Sequence, residues 1–248
     1  MEVFILAAQK SFFEKVTWIF ENNWPLFWYG IKITILLAVV GTVAGLIIGL
    51  LMGTARTFEV NDNDKAITKI FKKIMHAFVS IYVWFFRGTP MMVQAMLIYY
   101  GLKGLLQWDA LTAGLVIISI NTGAYMTEII RSGIQSVDNG QREGARSIGM
   151  NNAQTMMYVI LPQAIKNSFP SIGNQLIVNI KDSSMLNVIS VIDLYFQTTS
   201  SAGSTMQYTE NFFIATIIYL LMTSVATIIL SLIEKHMNKV PDTVEREI

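Results

Sequence analysis

The feature that most constrains this sequence is a set of long stretches without a charged residue. Residues 33–55 form 23 consecutive uncharged positions, residues 212–233 form 22, and residues 110–127 form 18. A helix needs about 20 mostly apolar residues to cross the hydrocarbon core of a bilayer. Because that core offers no water to unpaired backbone groups, these stretches predict membrane-spanning helices.

The composition agrees with that class. Hydrophobic residues make up 53% of the chain and charged residues only 14%, against roughly 25% charged residues in soluble domains. The net charge of +1 gives no electrostatic reason to expect a nucleic-acid partner. The absence of cysteine excludes disulfides and thiolate metal sites, and the two histidines, far apart in the sequence, predict no metal site. We therefore expect an all-α integral membrane protein.

The distribution of Lys and Arg predicts the number of spans, because cytoplasmic loops of membrane proteins are enriched in these residues. They gather in three blocks, within residues 56–87, 131–166 and 235–246. If all three blocks face the cytoplasm, an even number of crossings separates each neighbouring pair. The N-terminus is then outside and the C-terminus inside. This topology has five transmembrane helices, at about residues 31–55, 87–105, 109–132, 170–196 and 209–235.

The remaining segments are assigned from this topology. Residues 1–29 carry charges and three tryptophans, which suit an external interfacial helix. A transmembrane domain follows over residues 30–236, with a cytoplasmic tail at 237–248. Residues 66–86 would lie along the inner interface as an amphipathic helix. In the alternative with six spans residues 74–86 cross, which would leave the second basic block outside.

Four glycines share one face of the first predicted span: Gly41, Gly45, Gly49 and Gly53. Without side chains there, another helix can approach closely. We expect this face to pack within the chain, and the alternative is an interface between two copies.

A long polar loop, residues 136–162, separates the third and fourth predicted spans. A short helix is expected around residues 141–148, and Pro162 should stop or kink whatever helix precedes it. The residues alone leave two interpretations open. The loop is either a helix that docks on a cytosolic partner or a solvated loop with a local ion pair.

Four motifs carry a resemblance to a known family. EGARSIGMNNAQTMMYVILP resembles the EAA loop of ABC importer permeases: E-A-A, three residues, G, nine residues, I-x-L-P. Gly144 replaces the first Ala of that pattern and Val159 replaces the Ile. The other motifs are similar to the polar amino acid uptake subfamily, and the similarity covers roughly residues 30 to 236. They are FFRGTPMMVQAMLIYYG (85–101), NTGAYMTEIIRSGI (121–134) and NIKDSSML (179–186).

The resemblance implies the type I ABC importer permease fold, with five spans and a cytoplasmic coupling helix. It also implies partners: an ATP-binding subunit in two copies, a second permease subunit that is identical or homologous, and an extracellular solute-binding protein. ATP and Mg would bind the ATPase subunit, because this chain lacks the G-x-x-x-x-G-K-[ST] phosphate loop. The chain is then a cell-membrane transport subunit for a polar amino acid, without a cofactor or catalytic residue of its own. The ATPase-coupling positions would be Glu143, Gly144, Ala145, Gly149, Leu161 and Pro162.

Lys181 and Asp182 stand in the middle of an otherwise apolar, membrane-length segment. A charge at the bilayer centre costs about 2.5–3.5 kcal/mol, so each group needs a partner, water or a ligand. Serines directly after them favour a helix break, with free N–H groups near residues 184–186 that could hold a carboxylate. Asp182 could hold an ammonium group. The predicted substrate-binding residues are Lys181, Asp182, Ser183, Ser184, Asn121, Tyr125 and Glu128. The alternative is a structural ion pair between helices, such as Lys181 with Glu128.

Two further interpretations complete the expectations. Pro90 should start a helix, and Arg87 should extend towards the inner lipid headgroups.

An ion-coupled secondary transporter that works alone is the alternative function. It predicts an inverted repeat, which the sequence does not show, and it leaves the coupling loop unexplained. A non-transporting membrane scaffold is a second alternative and predicts no substrate cavity.

Overall fold

The computed structural model describes residues 11–57 and 65–237. Every regular element in these two ranges is helical, and they contain no β-strand. The all-α class expected from the sequence is therefore confirmed. The start of the predicted interfacial helix and nearly all of the predicted tail lie outside the described residues.

The α-helices are numbered here in chain order. They are α1 (Phe12–Ala55), α2 (Ala66–Gly88), α3 (Met91–Leu106), α4 (Ala110–Gln135), α5 (Asn139–Ser147), α6 (Asn152–Gln154), α7 (Leu161–Asp182), α8 (Leu194–Thr205) and α9 (Tyr208–Met237). A π-helical turn, Thr155–Ile160, joins α6 to α7, and a 3₁₀ helix, Ser183–Ile189, follows α7.

Within the described residues, three helices are long and apolar enough to cross a membrane: α1, α4 and α9. The predicted spans 31–55 and 209–235 lie within α1 and α9, and α4 contains all but the first residue of the predicted span 109–132. The predicted span 87–105 corresponds mainly to α3, whose 16 residues extend only about 24 Å. The predicted span 170–196 comprises the end of α7, the 3₁₀ helix and the start of α8. A total of five crossings remains a prediction.

Helix α1 has 44 residues and contains Pro25. The predicted boundary between an interfacial helix and the first span, at residues 29 and 30, therefore falls inside one continuous helix. Helix α3 begins at Met91, immediately after Pro90, as the sequence predicted.

Close contacts divide the chain into two compact units. The first comprises Met1–Gly41, Pro90–Ser119 and Ile177–Ser224, described from residue 11 onward. The second comprises Thr42–Thr89, Ile120–Leu176 and Val225–Ile248, described except for residues 58–64 and those after 237. Each of the four helices α1, α4, α7 and α9 contributes one part to each unit.

The first unit has two apolar clusters. In one, α3 and the start of α4 pack with the 3₁₀ helix around Leu37 of α1. In the other, the N-terminal half of α1 packs against the start of α8 and against α9, through Ile19, Phe27, Ile31, Leu194, Ile214 and Ile218. The first of these clusters holds α3 and the 3₁₀ helix against the same part of α1, around Leu37.

The core of the second unit joins α4 to the polar loop and to α7. Its buried side chains are Met126, Ile130, Ile134, Val137, Met156, Ile160, Ala164 and Ile172. The loop predicted at residues 136–162 is thus anchored at both ends by buried apolar side chains.

The glycine face of α1 packs against α4, so the prediction of packing within the chain is confirmed. In the first unit, a Cβ on Gly41 would lie 2.9 Å from a methyl carbon of Ile118. In the second unit, Gly45 meets Thr122 and Gly53 meets Thr127 and Ile130 in the same way. The two helices approach so closely that these positions leave no room for side chains.

Helix α5 lies at residues 139–147, close to the predicted 141–148, and both of its ends are capped. The Asp138 carboxylate accepts a hydrogen bond from the Gly140 N–H at 2.7 Å. At the other end the Gly149 N–H donates to Arg146 O at 3.0 Å, and the Met150 N–H donates to Ala145 O at 3.1 Å. This pair of bonds is a Schellman motif, and it places Gly149 at φ 84°.

Pro162 lies two residues into α7, directly after the π-helical turn. A proline lacks the N–H that would bond to the carbonyl four residues earlier, and its ring collides with that carbonyl. The wider π turn accommodates both effects. The chain therefore stays helical through Pro162, with a local distortion in place of a stop.

The α1–α4 contact can be tested at Gly45, where a Cβ would lie 2.6 Å from Thr122 Cγ2 and 3.1 Å from the Gly123 nitrogen. Gly45→Ala should push the helices apart and destabilise the protein by about 1–3 kcal/mol, measured as a lower thermal unfolding midpoint. Gly101→Ala in α3 is the matched control, because no atom lies within 4 Å of its Cβ. Equal midpoints for the two variants would contradict the close contact.

The Schellman motif can be tested at Gly149. Alanine in the left-handed region costs about 1–2 kcal/mol, so Gly149→Ala should speed hydrogen exchange of the Met150 amide several-fold. Gly144→Ala, inside α5 with open space around its Cβ, should leave that exchange unchanged or slower, since alanine favours a helix. Acceleration by both variants alike would show that Gly149 is not needed for its backbone conformation.

Candidate functional site

The motif NIKDSSML lies where α7 ends. Asp182 is the last residue of α7, and the 3₁₀ helix starts at Ser183. Both serine hydroxyls bond back to the backbone: Ser183 Oγ donates to Ile180 O at 3.1 Å, and Ser184 Oγ donates to Lys181 O at 2.7 Å. Helix geometry therefore changes at the serines, where the sequence predicted it.

The backbone does not open at this change, which corrects one expectation. The N–H groups of residues 184–186 lie within the 3₁₀ helix and do not end a broken helix. Hydroxyls that bond three residues back suit the i→i+3 pattern of a 3₁₀ helix, so the serines tighten the chain without interrupting it. An anion site made from open backbone is therefore not formed here.

Lys181 is exposed and Asp182 is half-buried. Neither lies within ion-pair distance of an opposite charge in the part of the chain that the structure describes. Neighbouring residues on a helix do not face each other, which explains why the two do not pair. The first unit thus presents one cationic and one acidic side chain, neither of which forms an ion pair among the described residues.

Ser183 is fully buried and is held by a residue that the sequence analysis did not single out. Its hydroxyl lies 3.3 Å from Oδ2 of Asp193, which is also fully buried. Asp193 caps α8 by accepting a hydrogen bond from the Phe196 N–H at 3.0 Å. The N–H of Leu194, the residue directly after Asp193, donates to Thr34 Oγ1 at 3.2 Å. Ser183 therefore supports the motif from inside. An Asp directly before a new helix was the sequence signal for this cap.

Two of the other predicted residues, Asn121 and Tyr125, lie in the second unit beside the end of α2. The Asn121 side chain is buried, and its Nδ2 donates to Phe86 O at 3.4 Å. The Arg87 guanidinium lies over the Tyr125 ring, 5.4 Å from its centroid. Arg87, which was expected to extend towards lipid headgroups, is exposed and stacks on this aromatic side chain of α4.

Glu128 forms ion pairs with two arginines, both of which lie in the second unit. It accepts hydrogen bonds from Arg56 and from Arg131, whose Nε and Nη2 lie 3.0 and 2.8 Å from Oε2. The suggested ion pair with Lys181 is therefore not needed to neutralise Glu128.

A cavity of about 370 Å³ opens beside these groups in the second unit. Arg87 forms one side. Residues of α4 from Tyr125 to Gly133, including Glu128, form the second side together with Ser136 just after α4, and residues 167–171 of α7 form the third. Among the predicted substrate residues, the structure places Tyr125 and Glu128 together on this cavity. Lys181, Asp182, Ser183 and Ser184 form a separate group in the first unit.

Some of the predicted coupling positions are exposed on α5, and one is buried. Glu143 and Gly144 are exposed, whereas Ala145 is buried beneath them. The exposed apolar side chains of the loop are large: 76% of Ile148, 74% of Tyr158 and 60% of Met157 is accessible.

Residues at the end of the loop attach it to the core of the second unit. Leu161 and Val159 pack against that core. The Gln163 amide donates to Gln141 of α5 at 3.2 Å. The loop is thus attached to the core at both ends, and nothing in the described chain covers the apolar side chains that it exposes after α5 and in the π-helical turn.

Comparisons with known proteins agree with this arrangement. Residues 65–239 match the family of binding-protein-dependent transport system inner membrane components. The chain is 36% identical over 216 residues to the glutamine transport system permease protein GlnP of Escherichia coli (strain K12), covering 86% of this chain and 93% of that protein. It is 34% identical over 215 residues to the arginine transport system permease protein ArtQ of Bacillus subtilis (strain 168), with the same coverage of 86% and 93%.

A solved structure shares the fold. It is the crystal structure of an amino acid ABC transporter with histidines, in which a chain 37% identical to this one superposes with a TM-score of 0.77. The superposition covers 92% of this chain and 99% of that chain. The family match spans well over half of the sequence, and the relatives align along nearly their whole length. This chain belongs to the family of binding-protein-dependent transport system inner membrane components, and its fold is that of an ABC importer permease.

Proposed function

We propose that the chain is the permease subunit of an ATP-driven importer that carries a polar amino acid across the cell membrane. The observation that carries this proposal is the exposed coupling loop, in which a short capped helix, α5, is followed by large exposed apolar side chains at its end and in the π-helical turn. A loop with large exposed Ile148 and Tyr158 side chains needs a protein partner, because apolar patches rimmed by polar residues mark interaction sites.

The partner that fits the loop is a separate ATP-binding subunit. Glu143 and Gly144 face outward from α5, and the caps at Asp138 and Gly149 keep the helix short and stiff. Two permease subunits, identical or homologous, would present two such loops to two ATPase subunits, which bind ATP and Mg. An extracellular solute-binding protein would deliver the amino acid.

The orientation follows from the charge rule. The basic residues around the coupling loop, including Arg142 and Arg146, are expected on the cytoplasmic side. The N-terminus is then outside and the C-terminus inside.

The unpaired charges at the end of α7 suit a zwitterionic substrate. Asp182 would accept hydrogen bonds from the α-ammonium group. Lys181, exposed and without an ion-pair partner in the described chain, would hold the α-carboxylate, since the backbone here offers no open N–H groups. Ser184 lies beside Lys181, and buried Ser183 holds the turn in place through Asp193.

The glutamine and arginine permeases among the relatives support an amino acid as the substrate class. The alternative, an ion-coupled secondary transporter, would leave the capped and exposed loop without a role. Dependence of uptake on ATP and on the ATPase subunit separates the two.

The substrate role of Asp182 can be tested by uptake into liposomes that contain the complete transporter. Asp182→Asn should raise the amino acid concentration for half-maximal uptake by about tenfold or more, because a hydrogen bond to a charged group contributes about 1.5–3 kcal/mol. Asp109→Asn is the matched control. Asp109 is an exposed cap of α4, and asparagine caps a helix equally well.

Two results would contradict the proposed role of Asp182. One is uptake by the Asp182→Asn transporter that matches the control at every concentration. The other is a lower thermal unfolding midpoint with unchanged concentration dependence, which would assign Asp182 to a structural ion pair with another subunit.

A further inference from the structure

The cavity in the second unit has the size of a small-molecule site. Its volume of about 370 Å³ lies within the range of about 300–1,000 Å³ that is typical of ligand pockets. Most of the residues that line it have polar side chains: an arginine, a glutamate, a tyrosine, several serines and an asparagine, beside an isoleucine and a glycine. The substrate residues proposed at the end of α7 do not belong to it, so it needs an explanation of its own.

Among the described residues, Arg87 lies near Glu128 on this cavity but forms no ion pair with it. Glu128 is hydrogen-bonded to both Arg56 and Arg131. Arg87 forms no ion pair within residues 11–57 and 65–237. Stacking on Tyr125 fixes the plane of its guanidinium while the N–H groups at its edge stay available. Three arginines act on one carboxylate here, although only Arg87 and Glu128 line the cavity, so positive charge exceeds negative charge around it.

Four serine hydroxyls lie on the cavity, and two of them bond to the protein itself. Ser136 Oγ donates to Gly133 O, and Ser168 Oγ donates to Ile129 O at 3.3 Å. Ser132 and Ser171 are exposed on the cavity, and their hydroxyls make no hydrogen bond in the described part of the chain. A guanidinium and two unused hydroxyls match the acceptor oxygens of a single carboxylate.

We infer that this cavity is a second substrate subsite, which binds the α-carboxylate of the transported amino acid through Arg87, Ser132 and Ser171. The inference rests on the proposed function, because it assumes that the transported molecule is an amino acid. It adds a binding position to the one proposed at Lys181 and Asp182. The imported molecule would then occupy two positions along its path.

The subsite lies at the base of the coupling loop. Ser136, on the cavity, accepts a hydrogen bond from Asn167 Nδ2 at 3.0 Å, and only Val137 and Asp138 separate it from α5. One turn before Asn167, Gln163 contacts Gln141 of α5. A carboxylate bound here would touch the residues that hold the docking helix.

Thiol labelling can report on this cavity alone, because the chain contains no cysteine. Ser171→Cys places a single thiol on the cavity wall, and Ser231→Cys places one on an exposed position of α9 outside it. Purified complexes of both variants would be treated with N-ethylmaleimide. The treatment would be repeated with millimolar L-glutamine, L-arginine or L-histidine, and with the α-carboxamide of each.

The amino acid that the complex imports should slow labelling of Ser171→Cys by about tenfold, the effect of about 1.4 kcal/mol of binding. Its carboxamide should protect far less, because it lacks the charge that Arg87 binds. Adding Arg87→Gln should abolish the protection, Arg87→Lys should restore part of it, and Ser231→Cys should be labelled at one rate throughout.

The inference is overturned if an amino acid that the complex imports leaves the labelling of Ser171→Cys unchanged. It is equally overturned if the carboxamide protects as well as the amino acid, or if protection survives Arg87→Gln. A complex that imports none of the amino acids into liposomes refutes the proposed function itself, so the two failures are distinguishable.

Discussion

The close contact between α1 and α4 is the constraint on which much of this structure depends. Lipid is as apolar as the helices themselves, so close packing must replace the hydrophobic effect in holding them together. The glycine face of α1 allows α4 to approach, and the contact sets the register of the two helices. One turn beyond Gly53, this register brings Arg56 to Glu128. A single small-residue face thus positions both the charge cluster and the helix that leads into the coupling loop.

The end of α7 shows a different solution, in which buried polar groups stabilise a change of helix type. Asp193 caps α8 and contacts Ser183, and Thr34 of α1 accepts a hydrogen bond from the Leu194 N–H. These bonds satisfy polar groups that would be costly to bury alone. The support comes from buried residues, and within the described chain neither Lys181 nor Asp182 forms an ion pair with another element.

The sequence predicted the features that depend on local chemistry. The glycine spacing predicted close packing, the serines predicted the change at the end of α7, and Gly149 marked the end of α5. Features that depend on the three-dimensional arrangement were missed. The stacking of Arg87 on Tyr125 was missed because the two residues are 38 positions apart and no pattern links them. The continuity of α1 was missed because the charged residues before residue 30 are typical of a separate helix at the membrane surface. Pro25 does not interrupt the helix.

The most direct measurement of the central claim, that the exposed loop faces the cytoplasm and docks on a separate ATPase subunit, is the sidedness of position 143. A single thiol at Glu143→Cys should not react with a membrane-impermeant maleimide in sealed cells. It should react in inside-out vesicles and be shielded when the ATPase subunit is bound. Reaction in sealed cells would place the loop outside and contradict the topology, the docking role and the assignment of ATP hydrolysis to a partner.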